Sequence, residues 1–113
     1  NLETIFASLK EADAKIIAYG LTPVDESKTT PIIGASSGAP KYFLNNRIKE
    51  FENMFTQTAE AHGAATVPLF EQAIQESWNQ KYLYPDGLHP NSAGHSWIAG
   101  KIKPHLWQLL NLK

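Results

Sequence analysis

Lys15-Ile16-Ile17-Ala18-Tyr19-Gly20 is a short apolar run closed by a glycine. It lacks the polar alternation of a strand that keeps one face in water. Such a run reads as a strand covered on both faces, as in a parallel sheet. Ala65-Thr66-Val67-Pro68 is a second run of the same kind. Between them, Leu44, Ile48, Phe51 and Phe55 fall on one stripe of a helix from Tyr42 to about His62, with Gly63 as its stop signal. Strand, helix, strand in this order is βαβ wiring, for which a right-handed crossover is expected.

Leu2, Ile5, Phe6 and Leu9 recur with helical spacing and predict an opening helix that ends near Asp13. Leu21 to Pro40 holds three prolines and two glycines and reads as a long loop. Phe70 to Trp78 reads as a short helix and Gln80 to Pro90 as loop. Asn91 then caps a last helix with Ile98, Ile102, Leu106 and Leu110 along its stripe, and Pro104 should kink or split it. The fold class is therefore α/β, with about two parallel strands and three to four helices. Two strands do not make a stable parallel sheet by themselves. Residues 1–113 are thus expected to form a single partial domain, a portion of a larger layered α/β domain.

The 113 residues carry 10 Lys and Arg against 11 Asp and Glu, interspersed, for a formal charge of −1. No basic stripe with interleaved aromatics is present, which argues against a nucleic-acid partner. No apolar run approaches the roughly 18 residues of a membrane span. The absence of cysteine excludes disulfides, thiolate metal sites and a cysteine nucleophile. No signal peptide is visible, which leans the compartment to the cytoplasm and leaves a leader on a preceding segment open.

Chemistry concentrates in Asp86-Gly87-Leu88-His89-Pro90-Asn91. Gly87 lets the backbone turn sharply enough for Asp86 and His89 to meet. Pro90 biases His89 toward extended backbone. A carboxylate behind an imidazole fixes its tautomer and stabilises its protonated form, which is what a base activating a hydroxyl nucleophile needs. On these residues alone, a capped turn with a surface histidine is an equal reading, since Asp-Gly is a common turn dipeptide.

The hexapeptide, followed by Ser92, Ala93, Gly94 and a helix, resembles the last conserved block of the SGNH (GDSL-type) hydrolases, which are serine esterases and lipases on a flavodoxin-like three-layer αβα sandwich. Upstream, Ile16 to Pro23 is similar to that family's late central strand and its Leu-Thr-Pro exit, Asn46 to Phe55 to the helix before the next strand, and Val67-Pro68-Leu69 to that strand's end. By position the resemblance implies that Asp86 is the orienting carboxylate and His89 the general base. The family's other blocks are missing from these residues: the Gly-Asp-Ser nucleophile, the oxyanion-hole glycine and the Gly-x-Asn-Asp stretch. The resemblance therefore implies the C-terminal half of an ester hydrolase, with a small-molecule ester as substrate, no cofactor, and a need for the N-terminal half of its own domain. The alternative is a non-catalytic binding or structural module derived from the same fold.

Because the resembled family builds its acyl pocket partly from segments flanking the histidine, the resemblance also makes Pro23, Tyr84 and Leu88 candidates for substrate contact; Tyr82, Leu83 and Tyr84 would line that pocket, with core packing an equal explanation for these three. Gly34-Ala35-Ser36-Ser37-Gly38 matches G-x-S-x-G, but Pro31 precedes it, Pro40 follows it, and the strand and helix that a nucleophile elbow requires are lacking. Ser36 is therefore read as a loop residue. Asp86, His89 and His95 lack metal-ligand spacing, so no metal is expected. His95 is read as a packed histidine, His62 as a partner of helix-terminal carbonyls, His105 as a surface residue, Trp78, Trp97 and Trp107 as packing, and Asp25-Glu26 as a solvated pair.

Overall fold

Asn1 starts the first helix, α1 (Leu2–Glu11), by accepting the Thr4 N–H on its side-chain oxygen at 2.9 Å. The computed structural model of the chain describes residues 1–33 and 38–111. After α1 come strand β1 (Ile17–Tyr19), helix α2 (Glu26–Thr29) and strands β2 (Ile32–Ile33) and β3 (Pro40–Lys41). Then follow helix α3 (Asn45–Ala61), strand β4 (Ala65–Val67) and helices α4 (Phe70–Gln75), α5 (Trp78–Lys81) and α6 (Ser92–Leu109).

β1 and β4 pair in parallel, with Ile17 beside Ala65, Ala18 beside Thr66 and Tyr19 beside Val67. Parallel neighbours require a crossover, and α3 supplies it. α3 packs on both strands and carries α1 on its flank, while α6 also packs on both strands. Phe6, Ala18, Ala59 and Ala64 form the buried cluster between α1, α3 and β1, with Leu2, Ile16 and Phe55 around it. The small residues at 18, 59 and 64 let the helices approach the strand closely, and the Phe6 and Phe55 rings, 5.8 Å apart, fill the space above them. The chain is thus mixed α/β with a parallel strand pair, the expected class.

The pair is incompletely covered. Tyr19 is 52% exposed, and Phe51 and Met54 on α3 are similarly open. A concavity of about 520 Å³ lies between Leu2, Phe51, Met54 and Thr58. On α6, Ile98 and Ile102 are half-buried, but Leu106 and Leu110 further along the expected stripe are exposed. No helix among the described residues is long and apolar enough to cross a membrane.

The largest difference from expectation is at residues 21–33 and 38–41. Asp25 caps α2, its Oδ1 accepting the Ser27 N–H at 3.1 Å, and Ile32 and Ile33 pair antiparallel with Lys41 and Pro40. Asp25 and Glu26 are therefore helix caps and not a free solvated pair; the Glu26 carboxylate accepts the Asn45 N–H at 2.6 Å, at the start of α3, where Leu44 has no capping side chain. The expected helix from Phe70 to Trp78 is broken at Ser77, whose φ of +58° is left-handed and cannot continue a right-handed turn. With α2 and α5, the helices among the described residues number six and not three or four. α6 runs on through Pro104 unsplit.

One residue of α3 holds the strand exits together. Glu52 is 4% exposed. Its Oε2 accepts three backbone N–H groups: Leu21 at 2.8 Å, just past β1, and Leu69 at 3.0 Å and Phe70 at 3.1 Å, just past β4. Gly20 permits this approach, because a Cβ there would lie 2.0 Å from that oxygen.

Candidate active site

The segment between α5 and α6 folds back on itself as a small antiparallel loop. Leu83 bridges Pro90, the Tyr84 N–H donates to the His89 carbonyl at 2.8 Å, and the Asn91 N–H donates to the Tyr82 carbonyl at 2.9 Å. The tip is closed by the Gly87 N–H donating to the Tyr84 carbonyl at 3.0 Å. Asn91 then caps α6, its Oδ1 accepting the Gly94 N–H at 2.9 Å. Gly94 has to be small, since a Cβ there would sit 2.4 Å from the Tyr82 carbonyl oxygen.

Gly87 lies buried with φ +73° and faces α2, where a Cβ would come within 2.9 Å of the Lys28 Cβ and 3.1 Å of the Asp25 Cβ. The Asp25 N–H donates to the Gly87 carbonyl at 2.9 Å, so the loop is docked on the start of α2. Gly87→Ala therefore combines a left-handed alanine with a steric push on α2. The expected loss of stability is roughly 1–3 kcal/mol, read as a lower urea midpoint; an unchanged midpoint would contradict this packing.

At the turn, Asp86 Oδ1 accepts the Leu88 N–H at 2.9 Å and the His89 N–H at 3.1 Å. Oδ2 lies 2.6 Å from His89 Nδ1. A carboxylate only accepts, so Nδ1 carries the hydrogen and Nε2 is left as the acceptor of the neutral ring. Nε2 has no hydrogen-bond partner among the described residues, and the His89 side chain is 70% exposed. The His89 ring N–H first, and then the Leu88 and His89 backbone N–H groups, hold the Asp86 carboxyl down from 3.8 to about 2. It is therefore an anion behind the imidazole throughout the neutral range.

A carboxyl whose value is lowered on folding stabilises the folded chain above its ordinary value of 3.8 and loses that contribution as pH falls through about 2. In an NMR titration the Asp86 carboxyl carbon should give an inflection near 2. An inflection at the ordinary aspartate value would break the geometry described here.

The structure thus brings together both residues singled out as catalytic candidates. Of the substrate-contact candidates, Tyr84 is 51% exposed beside the loop and Leu88 is half-buried. Pro23 is fully buried and offers a substrate no surface, so in this structure it is a packing residue and not a lining one. Tyr82 belongs to an aromatic cluster with Trp78 and Trp97, at ring distances of 5.0 and 6.2 Å. His95 is exposed and not packed, His105 is half-buried, and Trp107 is exposed under the Lys103 ammonium. His62 meets the Thr58 carbonyl near the end of α3, as expected. Gly34, Ala35, Ser36 and Ser37 lie outside the described residues. Among the described residues no three His, Asp or Glu side chains are grouped as a metal site requires.

The sequence profile of the GDSL-like Lipase/Acylhydrolase family matches residues 1–97, which include the whole acid–histidine loop. The chain belongs to the GDSL-like lipase/acylhydrolase family. No curated protein and no solved structure matches it. Within this family member, the loop docked on the start of α2 places at one surface a carboxylate and an imidazole whose Nε2 has no hydrogen-bond partner among the described residues.

Proposed function

We propose that this chain carries the histidine and aspartate of a serine ester hydrolase. The observation that supports the reading is the 2.6 Å contact between Asp86 Oδ2 and His89 Nδ1 on an exposed ring. A serine hydroxyl placed beside Nε2 would give up its proton to His89 as its oxygen bonds to the acyl carbon of the ester. Collapse of the tetrahedral intermediate breaks the bond to the alkoxide, which takes that proton from His89. A water molecule gives its proton to His89 as its oxygen adds to the acyl-serine; the bond to the serine oxygen then breaks, that oxygen takes the proton back from His89, and the acid is released. Asp86 keeps the ring in the correct tautomer and stabilises its protonated form during each transfer.

The serine and the oxyanion donors come, on this proposal, from a preceding part of the same domain outside residues 1–113. Exposed Tyr19 on a strand pair, and open apolar residues such as Phe51 and Met54, support a domain whose remaining surface is completed by such a segment. The substrate is a small-molecule ester. The test is hydrolysis of p-nitrophenyl acetate by the longer parent chain and by its His89→Ala variant; equal rates would end the proposal.

A further inference from the structure

Val24, on the segment leaving β1, is 3% exposed, and one side chain engages both of its backbone groups. Asn45 Oδ1 accepts the Val24 N–H at 2.8 Å, and Asn45 Nδ2 donates to the Val24 carbonyl at 2.9 Å. Asn79 Nδ2 donates to the same carbonyl at 3.2 Å. The Val24 carbonyl shares its peptide plane with the Asp25 N–H. The plane is rigid and trans, so whatever holds the carbonyl also aims the N–H on its opposite side. That N–H donates to the Gly87 carbonyl at 2.9 Å. The Gly87 carbonyl in turn shares a plane with the Leu88 N–H, which donates to Asp86 Oδ1 at 2.9 Å. Asp86 Oδ2 then holds His89 Nδ1. Two peptide planes therefore connect an α3 side chain to the imidazole in one unbroken series of hydrogen bonds, each polarising the next.

We infer that Asn45 is a positioning residue for the Asp86–His89 pair, acting through the Val24–Asp25 and Gly87–Leu88 peptides. It touches no reacting atom, and the inference rests on the reading of that pair as catalytic. The Nδ2 donor is the part that matters, because it binds the carbonyl of the relaying plane; the Oδ1 contact only anchors the preceding N–H. Asn45→Asp keeps an acceptor for Val24 and removes the donor, which separates the relay from general packing.

In the full-length parent, Asn45→Ala and Asn45→Asp are both expected to lower kcat on the order of tenfold to a hundredfold with KM little changed, the scale of a small misplacement of a catalytic group. Amide hydrogen exchange should quicken at Asp25 and Leu88 in both variants and stay slow at Leu21 and Leu69, which Glu52 holds independently. Asn79→Ala, which removes the longer of the two donors, should shift the same amides less, and it keeps the test open if Asn45→Ala does not fold. Wild-type kcat in Asn45→Asp, or exchange quickened equally at Leu69, would overturn the inference. A parallel His89→Ala variant separates the two readings. If it retains activity, the catalytic assignment fails while the amide pattern still reports on the relay. If it is inactive and Asn45→Asp is normal, the positioning role alone fails.

Discussion

If His89 is the general base of the proposed mechanism, His89→Ala should lower kcat by roughly 10⁴-fold or more and leave KM close to its original value. On the proposed mechanism the imidazole would accept the serine proton only as the oxygen attacks, so its removal would act on the transition state and not on ground-state binding. The geometry makes no substitute available. Among the described residues, His95 is the nearest histidine in sequence, yet it is exposed on α6 and bonded through its backbone N–H to the Asn91 carbonyl, with no carboxylate behind its ring. His95→Ala is thus the control expected to retain wild-type rates. Comparable losses in both variants would point to damage at the start of α6, and equal rates in His89→Ala and wild type would remove the histidine from the chemistry altogether.

Glu52→Ala should be the most damaging single change to folding. It deletes the acceptor of three backbone N–H groups, at Leu21, Leu69 and Phe70, in a place where the side chain is 4% exposed. Each buried donor left unsatisfied costs about 1–3 kcal/mol, and solvent entering the vacated space recovers part of this, so a net loss of roughly 3–5 kcal/mol is expected. Glu52→Gln keeps an oxygen in the same place but gives up charge-assisted bonds, which are about twice as strong as neutral ones, and should lose roughly 1–2 kcal/mol. Urea unfolding measures both. A Glu52→Ala variant within about 0.5 kcal/mol of wild type, the range of an ordinary surface substitution, would show that the carboxylate does not hold the strand exits.

What could be read from the sequence depended on how local its causes are. β1, β4 and α3 follow from runs and stripes of apolar side chains, which periodicity reports directly. The Asp86–His89 pair was legible because everything that shapes it lies within six residues: an acid, a glycine that reaches φ +73°, a histidine, a proline and a cap. Glu52 and Asn45 were not legible. Their partners are backbone groups 31 and 21 positions away at Leu21 and Val24, and a backbone amide has no letter in the sequence. Within the α3 stripe, Glu52 simply looks like a polar residue on an amphipathic helix. α2 and the β2–β3 hairpin have four and two residues per element, too short for any period to show. His95 falls on the α6 stripe by spacing, but spacing cannot say which parts of a stripe are covered, and that end of the face is open.

Nitrogen-15 NMR of the neutral His89 ring reads whether Nε2 is the bare, basic nitrogen while Nδ1–H is committed to Asp86. A hydrogen on Nδ1, a bare Nε2, and loss of that preference in Asp86→Ala is the predicted result. A ring protonated on Nε2, or one indifferent to the aspartate, would contradict it.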